Sequence, residues 1–305
     1  MDAPSLTPNQ RAWRRFSKNP AAFTSACVLG VLTVLLFLHP LISTQSPTTL
    51  TDALANPPSS QHWFGTDLLG RDLLSRLVYG ARISMMVGLV GAGVSLLIGV
   101  LWGAVAGYIG GTCDGVMMRI VDILYSLPSV IFVIVMITSL EGLFKDWLLL
   151  HFSPEAAGVA RLLFLFAGLG AVSWLTMARI VRGEVLSLRT RSFVDASRAM
   201  GASHIHILRK HILPNVAGVV IVYLTLTIPS VILYESFLSY LGLGIQAPQA
   251  SLGSLMAEGS AQINSLRLYW WMVLFPGLLL VVMLLTLNFI GDGLRDAFDP
   301  RSEKL

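Results

Sequence analysis

Charge is the scarcest commodity in this 305-residue chain: Asp, Glu, Lys and Arg together make up 12%, while 54% is hydrophobic. A soluble globular chain carries roughly 25% charged residues. The deficit, with a mean hydropathy of +0.72, puts the chain in the membrane class. Cysteine is nearly absent as well. Cys27 and Cys113 both lie in or beside apolar segments, which excludes a disulfide framework and a zinc ribbon. There is no phosphate-binding loop, because none of Lys18, Lys145, Lys210 and Lys304 follows a glycine. Any energy for transport must therefore come from a partner or an ion gradient. Gradient-driven carriers place ionisable groups deep in the membrane at about 2.5–3.5 kcal/mol or more each. The long runs here have none at mid-depth, which weighs against an ion-coupled secondary carrier.

What is present is a set of uncharged runs long enough to cross a bilayer, a span needing about 20 apolar residues. They are Asn19–Thr51, Ile83–Cys113, Ile123–Leu140, Leu162–Ala178, Ile212–Tyr234 and Leu268–Gly291. They predict an all-α polytopic protein of six transmembrane helices. The first run is preceded by Arg11, Arg14, Arg15 and Lys18. It is too long for a signal peptide and lacks a small-x-small cleavage site, so it reads as a retained anchor. With both termini on the cytoplasmic side, fifteen of the 21 basic residues fall inside, seven of them between spans four and five. That is a positive-inside distribution. It accounts for the basic pI by topology rather than by nucleic-acid binding. The boundaries read as an N-terminal tail (1–21), a first span (22–42), an extracytoplasmic segment (43–82), a core (83–291) with a polar loop (183–214), and a C-terminal tail (292–305).

The polar loop is the most patterned segment outside the spans. Ser192-Phe-Val-Asp195 fits a serine-x-x-acid capping box. Phe193, Ala196 and Met200 then share a helical face, and Gly201 suits the left-handed residue that ends a helix. Ser203 can cap a second helix on which Ile205, Leu208 and Ile212 share a face, and Pro214 marks a break before span five. Two short amphipathic helices joined at glycine offer an apolar face ringed by charge, which suits a groove on a soluble partner. The alternative is a hairpin that packs on its own membrane domain.

The loop resembles the EAA loop of ABC-importer permeases: acid-Ala-Ala, three residues, Gly, nine residues, an apolar residue, one residue, Leu-Pro. Here it reads Asp195-Ala196-Ser197, Gly201, His211, Leu213-Pro214, with Asp for Glu, Ser for the second Ala and His for Ile or Val. "FGTDLLGRDLLSRLVYGARIS" (64–84), "SFLSYLGLG" (236–244) and "NFIGDGLRDAFDP" (288–300) resemble the C-type permeases of dipeptide, oligopeptide and nickel importers. "SWLTMARIVRGEVLSL" (173–188) is closest to oligopeptide permease C. Where that family has Trp-Gly, this chain has Leu252-Gly253. The resemblance implies a type I permease fold and a pore-forming, non-enzymatic subunit of an ATP-driven peptide importer in a bacterial inner membrane. It further implies a heterodimer with a B-type permease, two cytoplasmic ATPases that bind ATP-Mg, and an extracytoplasmic substrate-binding protein. This chain would bind no cofactor and no metal, and would contact only lipid and protein. The ATPase-coupling residues implied are Phe193, Asp195, Ala196, Ser197, Arg198, Met200, Gly201, Leu213 and Pro214. A nickel-type importer is the alternative.

Glu235, at the outer end of span five, reads either as part of the pathway or its gate, or as an interfacial carboxylate or local ion pair. Residues 236–257 are broken by Gly242, Gly244, Pro248 and Gly253 and look too irregular for a seventh helix. They read either as a re-entrant turn or gate, or as an outside loop. Span two carries Gly91, Ser95, Gly99, Gly103 and Gly107, a stripe that permits close helix approach and is expected to pack within the chain. In 65–76, charges alternate with Leu68, Leu69, Leu73 and Leu74. That predicts either an amphipathic interfacial segment or an ordered connection.

Overall fold

Backbone in hydrocarbon has no water to bond to, so each span must satisfy its own N–H and C=O groups. The computed structural model describes residues 8–43, 45–135, 138–139, 154–245, 249–263 and 267–298. Among them the architecture is all-α, with one isolated antiparallel bridge between Thr66 and Asp72. The helices are α1 (Pro8–Lys18), α2 (Pro20–Ile42), α3 (Leu73–Ile109), α4 (Gly111–Ser126), α5 (Ser129–Val135), α6 (Pro154–Leu188), α7 (Ser192–Ala199), α8 (His204–Ile207), α9 (Leu213–Tyr240), α10 (Leu252–Ser260) and α11 (Trp270–Phe298). A π-helical turn, Leu208–Ile212, joins α8 to α9.

Four stretches are singly long and apolar enough to span: α2, α3, His204–Tyr240 and α11; a fifth is formed if α4 and α5, bent by 88°, count as one. The third expected span is thus broken at Leu127-Pro128, where proline cannot continue α4's hydrogen bonding. Its continuation to Leu140 lies mostly outside the described residues. The fourth expected span lies within the 35-residue α6. Contacts divide the chain into two units, one of Met1–Asn19, Val90–Ile228 and Gly291–Leu305, the other of Pro20–Leu89 and Pro229–Ile290.

The first unit is organised by the small-residue stripe of α3. Gly91, Ser95, Gly99, Gly103 and Gly107 are all buried. A Cβ at Gly99 would meet Met177 Cβ at 2.6 Å, and one at Gly107 would meet Arg182 O at 2.8 Å. At Gly103 it would strike the Ala178 carbonyl. The stripe is therefore an intrachain seam with α6. Trp102 meets Trp174 edge-on at 5.2 Å beside it. Arg182 grips both carboxylate oxygens of Asp114 on α4 at 2.5 and 2.6 Å. Arg179 reaches Asp122 at 2.8 Å and lies 4.0 Å over the Tyr125 ring.

In the second unit α3 begins ten residues before the uncharged run, at Leu73. Asp72 sets that start, its Oδ2 accepting from Ser75 N at 2.8 Å as an N-cap carboxylate does. The segment before it is an ordered connection, not an amphipathic helix. Leu68 and Leu69 are exposed, whereas Asp67, Asp72 and Arg76 are buried. Arg76 bonds Asp67 at 2.6 Å and holds both oxygens of Glu258 on α10 at 2.6 and 2.9 Å. Buried charge of either sign is stable only when paired, and that pairing fixes this segment together with Leu73, buried against Trp271 and Met272. Phe64 stacks on Phe275 at 4.1 Å, and Trp271 donates to Thr66 O at 3.2 Å.

The α3–α6 seam yields a direct test. Gly103→Leu overpacks it and lowers stability by about 1–3 kcal/mol, read as a lower unfolding midpoint in detergent. Gly93→Leu, where a Cβ meets nothing within 4 Å, leaves the midpoint unchanged.

Candidate functional site

Two constellations stand out, one in each unit. The first is the hairpin formed by α7 and α8. Val194 and Ser197 turn one face of α7 inward. Val194 joins Val181, Val185, Ile207, Ile212 and Val216 in a single apolar cluster, with Leu213 half-buried against it. The other face carries Phe193, Ala196 and Met200, all exposed, Met200 at 81%. Gly201 turns the chain at φ 82°, donating to Arg198 O at 2.9 Å, while Ala202 N reaches Ser197 O at 3.1 Å. Ser203 caps α8, accepting from His206 N at 3.3 Å.

Four details depart from the sequence reading. The N-cap of α7 is Arg191, with no side-chain cap. Ser192 is already helical, and Asp195 turns to Arg198 at 3.2 Å instead of back to the helix start. Pro214 does not break the chain. The π-turn before it, with Leu213 N bonded to Leu208 O, carries the helix on into α9, and such widened turns let a helix pass a proline. That turn also shifts the side-chain register. Ile212 is buried while Ile205 is 70% exposed, so Ile205, Leu208 and Ile212 do not form one face. Finally, Ser197 is 3% exposed and points away from the open face. His211, where the resemblance calls for Ile or Val, sits 6.3 Å from the Phe193 ring and 5.9 Å from His206.

The second constellation surrounds Glu235, whose side chain is fully buried on α9. Among the described residues no cation pairs with it. Hydroxyls of Ser239, Ser84 and Ser236 donate to it at 2.6, 2.9 and 3.4 Å. Each of the closer two is itself an acceptor: Ser84 Oγ takes Leu252 N at 3.3 Å, and Ser239 Oγ takes Ile245 N at 3.0 Å. One carboxyl thus gathers α3, the end of α9, the turn after it and the start of α10. Among the described residues, 236–257 hold no seventh span; they contain the end of α9 and most of the nine-residue α10, opened by a full capping box in which Ser251 and Ser254 exchange bonds. Gly242, at φ 77°, ends α9. Gly244 lies against Ser239 and Gly253 against the Ser236 carbonyl, leaving no room for a side chain. Leu252, in the place of the family tryptophan, is fully buried. Pro248 lies outside the described residues. Ser239, four residues after Glu235, was open to helical-spacing analysis; Ser84, 151 positions away, carried no signal.

Glu235→Ala removes the shared acceptor. Each buried hydroxyl left unpaired costs about 1–3 kcal/mol, so the unfolding midpoint in detergent falls well below wild type. Glu235→Gln retains an acceptor and loses much less.

Comparison with known proteins agrees with this geometry. Residues 99–304 match the family described as binding-protein-dependent transport system inner membrane component. Residues 7–59 match the N-terminal TM domain of oligopeptide transport permease C. The chain is 42% identical over 299 residues to the dipeptide transport system permease protein DppC of Bacillus subtilis, covering 98% of this chain and 87% of that protein. It is 45% identical over 296 residues to the oligopeptide transport system permease protein OppC of Escherichia coli, covering 96% and 91%. In fold it resembles a chain of the inward-facing MetNI methionine ABC transporter, with a TM-score of 0.56 at 21% identity, over 72% of this chain and 95% of that one. The chain is an integral membrane protein and belongs to the family of binding-protein-dependent transport system inner membrane components, as a permease of the ABC-importer class.

Proposed function

We propose that this chain is one of the two pore-forming subunits of an ATP-driven importer of short peptides. The α7–Gly201–α8 hairpin is its contact with a cytoplasmic ATPase. The observation that carries the reading is the two-sidedness of α7: its inner face is locked into the α3–α6–α9 cluster while Phe193, Ala196 and Met200 stand open. A small apolar face on a rigid mount transmits a push, where a loose loop would absorb it. The mount reaches the spans without a joint, because α8 continues through the π-turn into α9.

In this scheme two ATPase subunits bind ATP-Mg, and a B-type permease supplies the other half of the pathway. An extracytoplasmic binding protein delivers the substrate. The basic residues around the hairpin support a topology with the hairpin and both termini on the cytoplasmic side of a bacterial inner membrane. Closure of the ATPases then shifts the population between pathway openings to the two sides. The Glu235–Ser84–α10 assembly, with Gly242 and Gly244, serves as part of the gate, since one carboxyl holds three segments that must part for it to open. The relatives named for oligopeptide and dipeptide transport support oligopeptide as first substrate, dipeptide as second and a nickel chelate as third.

Cysteines placed singly at Phe193, Ala196 and Met200 are expected to crosslink to an ATPase subunit in the assembled transporter, whereas Ser197→Cys, facing inward, is not. Absence of crosslinking at all three exposed positions in an active transporter overturns the docking role. Gly201→Val forces a β-branched residue into the left-handed region at about 1–2 kcal/mol. It is expected to depress peptide uptake while the protein still inserts.

A further inference from the structure

On the flank of the hairpin, away from Phe193 and His211, an open pocket of about 830 Å³ lies between the end of α3, the link after α6, and α7–α8. We propose that this pocket binds the headgroup of an anionic phospholipid. Tyr108 is its hub. The Tyr108 hydroxyl meets His204 Nδ1 at 3.0 Å. The Arg198 guanidinium lies 6.0 Å from the Tyr108 ring centre. Arg189 Nη1 donates to the Gly107 and Tyr108 carbonyls at 3.2 and 3.4 Å. The ring thus carries an imidazole and one guanidinium, and a second guanidinium is held on the backbone beside it. Of the residues lining the pocket, Asp195 is the one carboxylate, and it engages Arg198 Nη1 at 3.2 Å. Among the described residues no protein acceptor meets Nε or Nη2 of Arg189, so its fork keeps donors for a phosphodiester.

The remainder of the wall is apolar and open: Val105 and Ile109 on α3 and Ile205 on α8 are exposed. A free anion would leave that wall in water, whereas a lipid's glycerol and acyl chains cover it. The position agrees. From Ile83, where its uncharged run begins, to Ile109, α3 has 27 residues, about 40 Å of helix at ~1.5 Å per residue, against a hydrocarbon core of about 30 Å. Its last turn therefore emerges at headgroup level, where basic pockets beside spans select anionic lipid. The occupant bridges α3 and the hairpin, making the lever's seat sensitive to membrane composition. This inference does not depend on which substrate is carried.

The test is native mass spectrometry of the full chain, purified with its accompanying subunits and exposed to phosphatidylglycerol or phosphatidylcholine. Phosphatidylglycerol is expected to be retained about tenfold better, and Arg189→Gln/His204→Gln is expected to abolish the preference. Arg189 also holds the last carbonyls of α3, so the second variant is Thr190→Glu. It adds a carboxylate to the wall without touching those bonds and must abolish the preference with an unchanged unfolding midpoint. Equal retention of the two lipids, or a preference that survives both variants, overturns the proposal. So does displacement of phosphatidylglycerol by millimolar inorganic phosphate, which marks a free-anion site. Variants that lose an ATPase subunit yet keep the lipid preference assign the pocket to that partner and overturn it equally.

Discussion

The lever role proposed for the hairpin requires that α3 and α6 touch backbone to backbone. Gly99, Gly103 and Gly107 let α3 sink against Met177, Ala178 and Arg182 until no side chain fits between them. In lipid there is little hydrophobic drive to bring helices together, and close van der Waals contact replaces it. The seam in turn presents Val181 and Val185 to Val194, Ile207 and Ile212, giving the hairpin a seat. Arg182 closes the same neighbourhood from the other side by holding Asp114 on α4. Interiors packed to this density pass displacement along instead of absorbing it, which is the property a coupling element requires.

The second unit uses polar chemistry for a comparable purpose. Arg76 ties α10 to α3 through Glu258, and Glu235 ties α10 to α3 and α9 through serine hydroxyls. α10 is only nine residues long and would not hold its place by propensity alone. Its capping box, its buried Leu252 and the close approach of Gly253 to Ser236 fix it. Such contacts are directional. They are strong while aligned and are lost together when one member moves, which suits the gate role proposed for this segment.

The sequence was most legible where a physical rule acts over a few residues. The apolar runs, the left-handed glycine at 201 and the Ser203 cap were each readable from local pattern, as was the stripe on α3. Reading failed where a distant group or a local competitor decided the outcome. Asp195 looks like a capping acid until Arg198, three residues on, claims it. Pro214 looks like a stop until a π-turn accommodates it. The charges of 67–76 left an interfacial segment and an ordered connection both open, and the partner that pairs Arg76, Glu258, lies 182 positions away.

The amino-acid order by itself thus determined that the chain is helical, that it belongs in a membrane, and that its polar hairpin turns at Gly201 and is capped at Ser203. Those outcomes follow from hydrophobic burial and from backbone geometry, both of which are set within a turn or two of helix. Only the tertiary structure decided which face of α7 is left open, that Ser197 is hidden, and that Glu235 sits among serines. Those outcomes depend on which side chains from remote segments occupy the same few ångströms, and nothing in the spacing of a single helix records that.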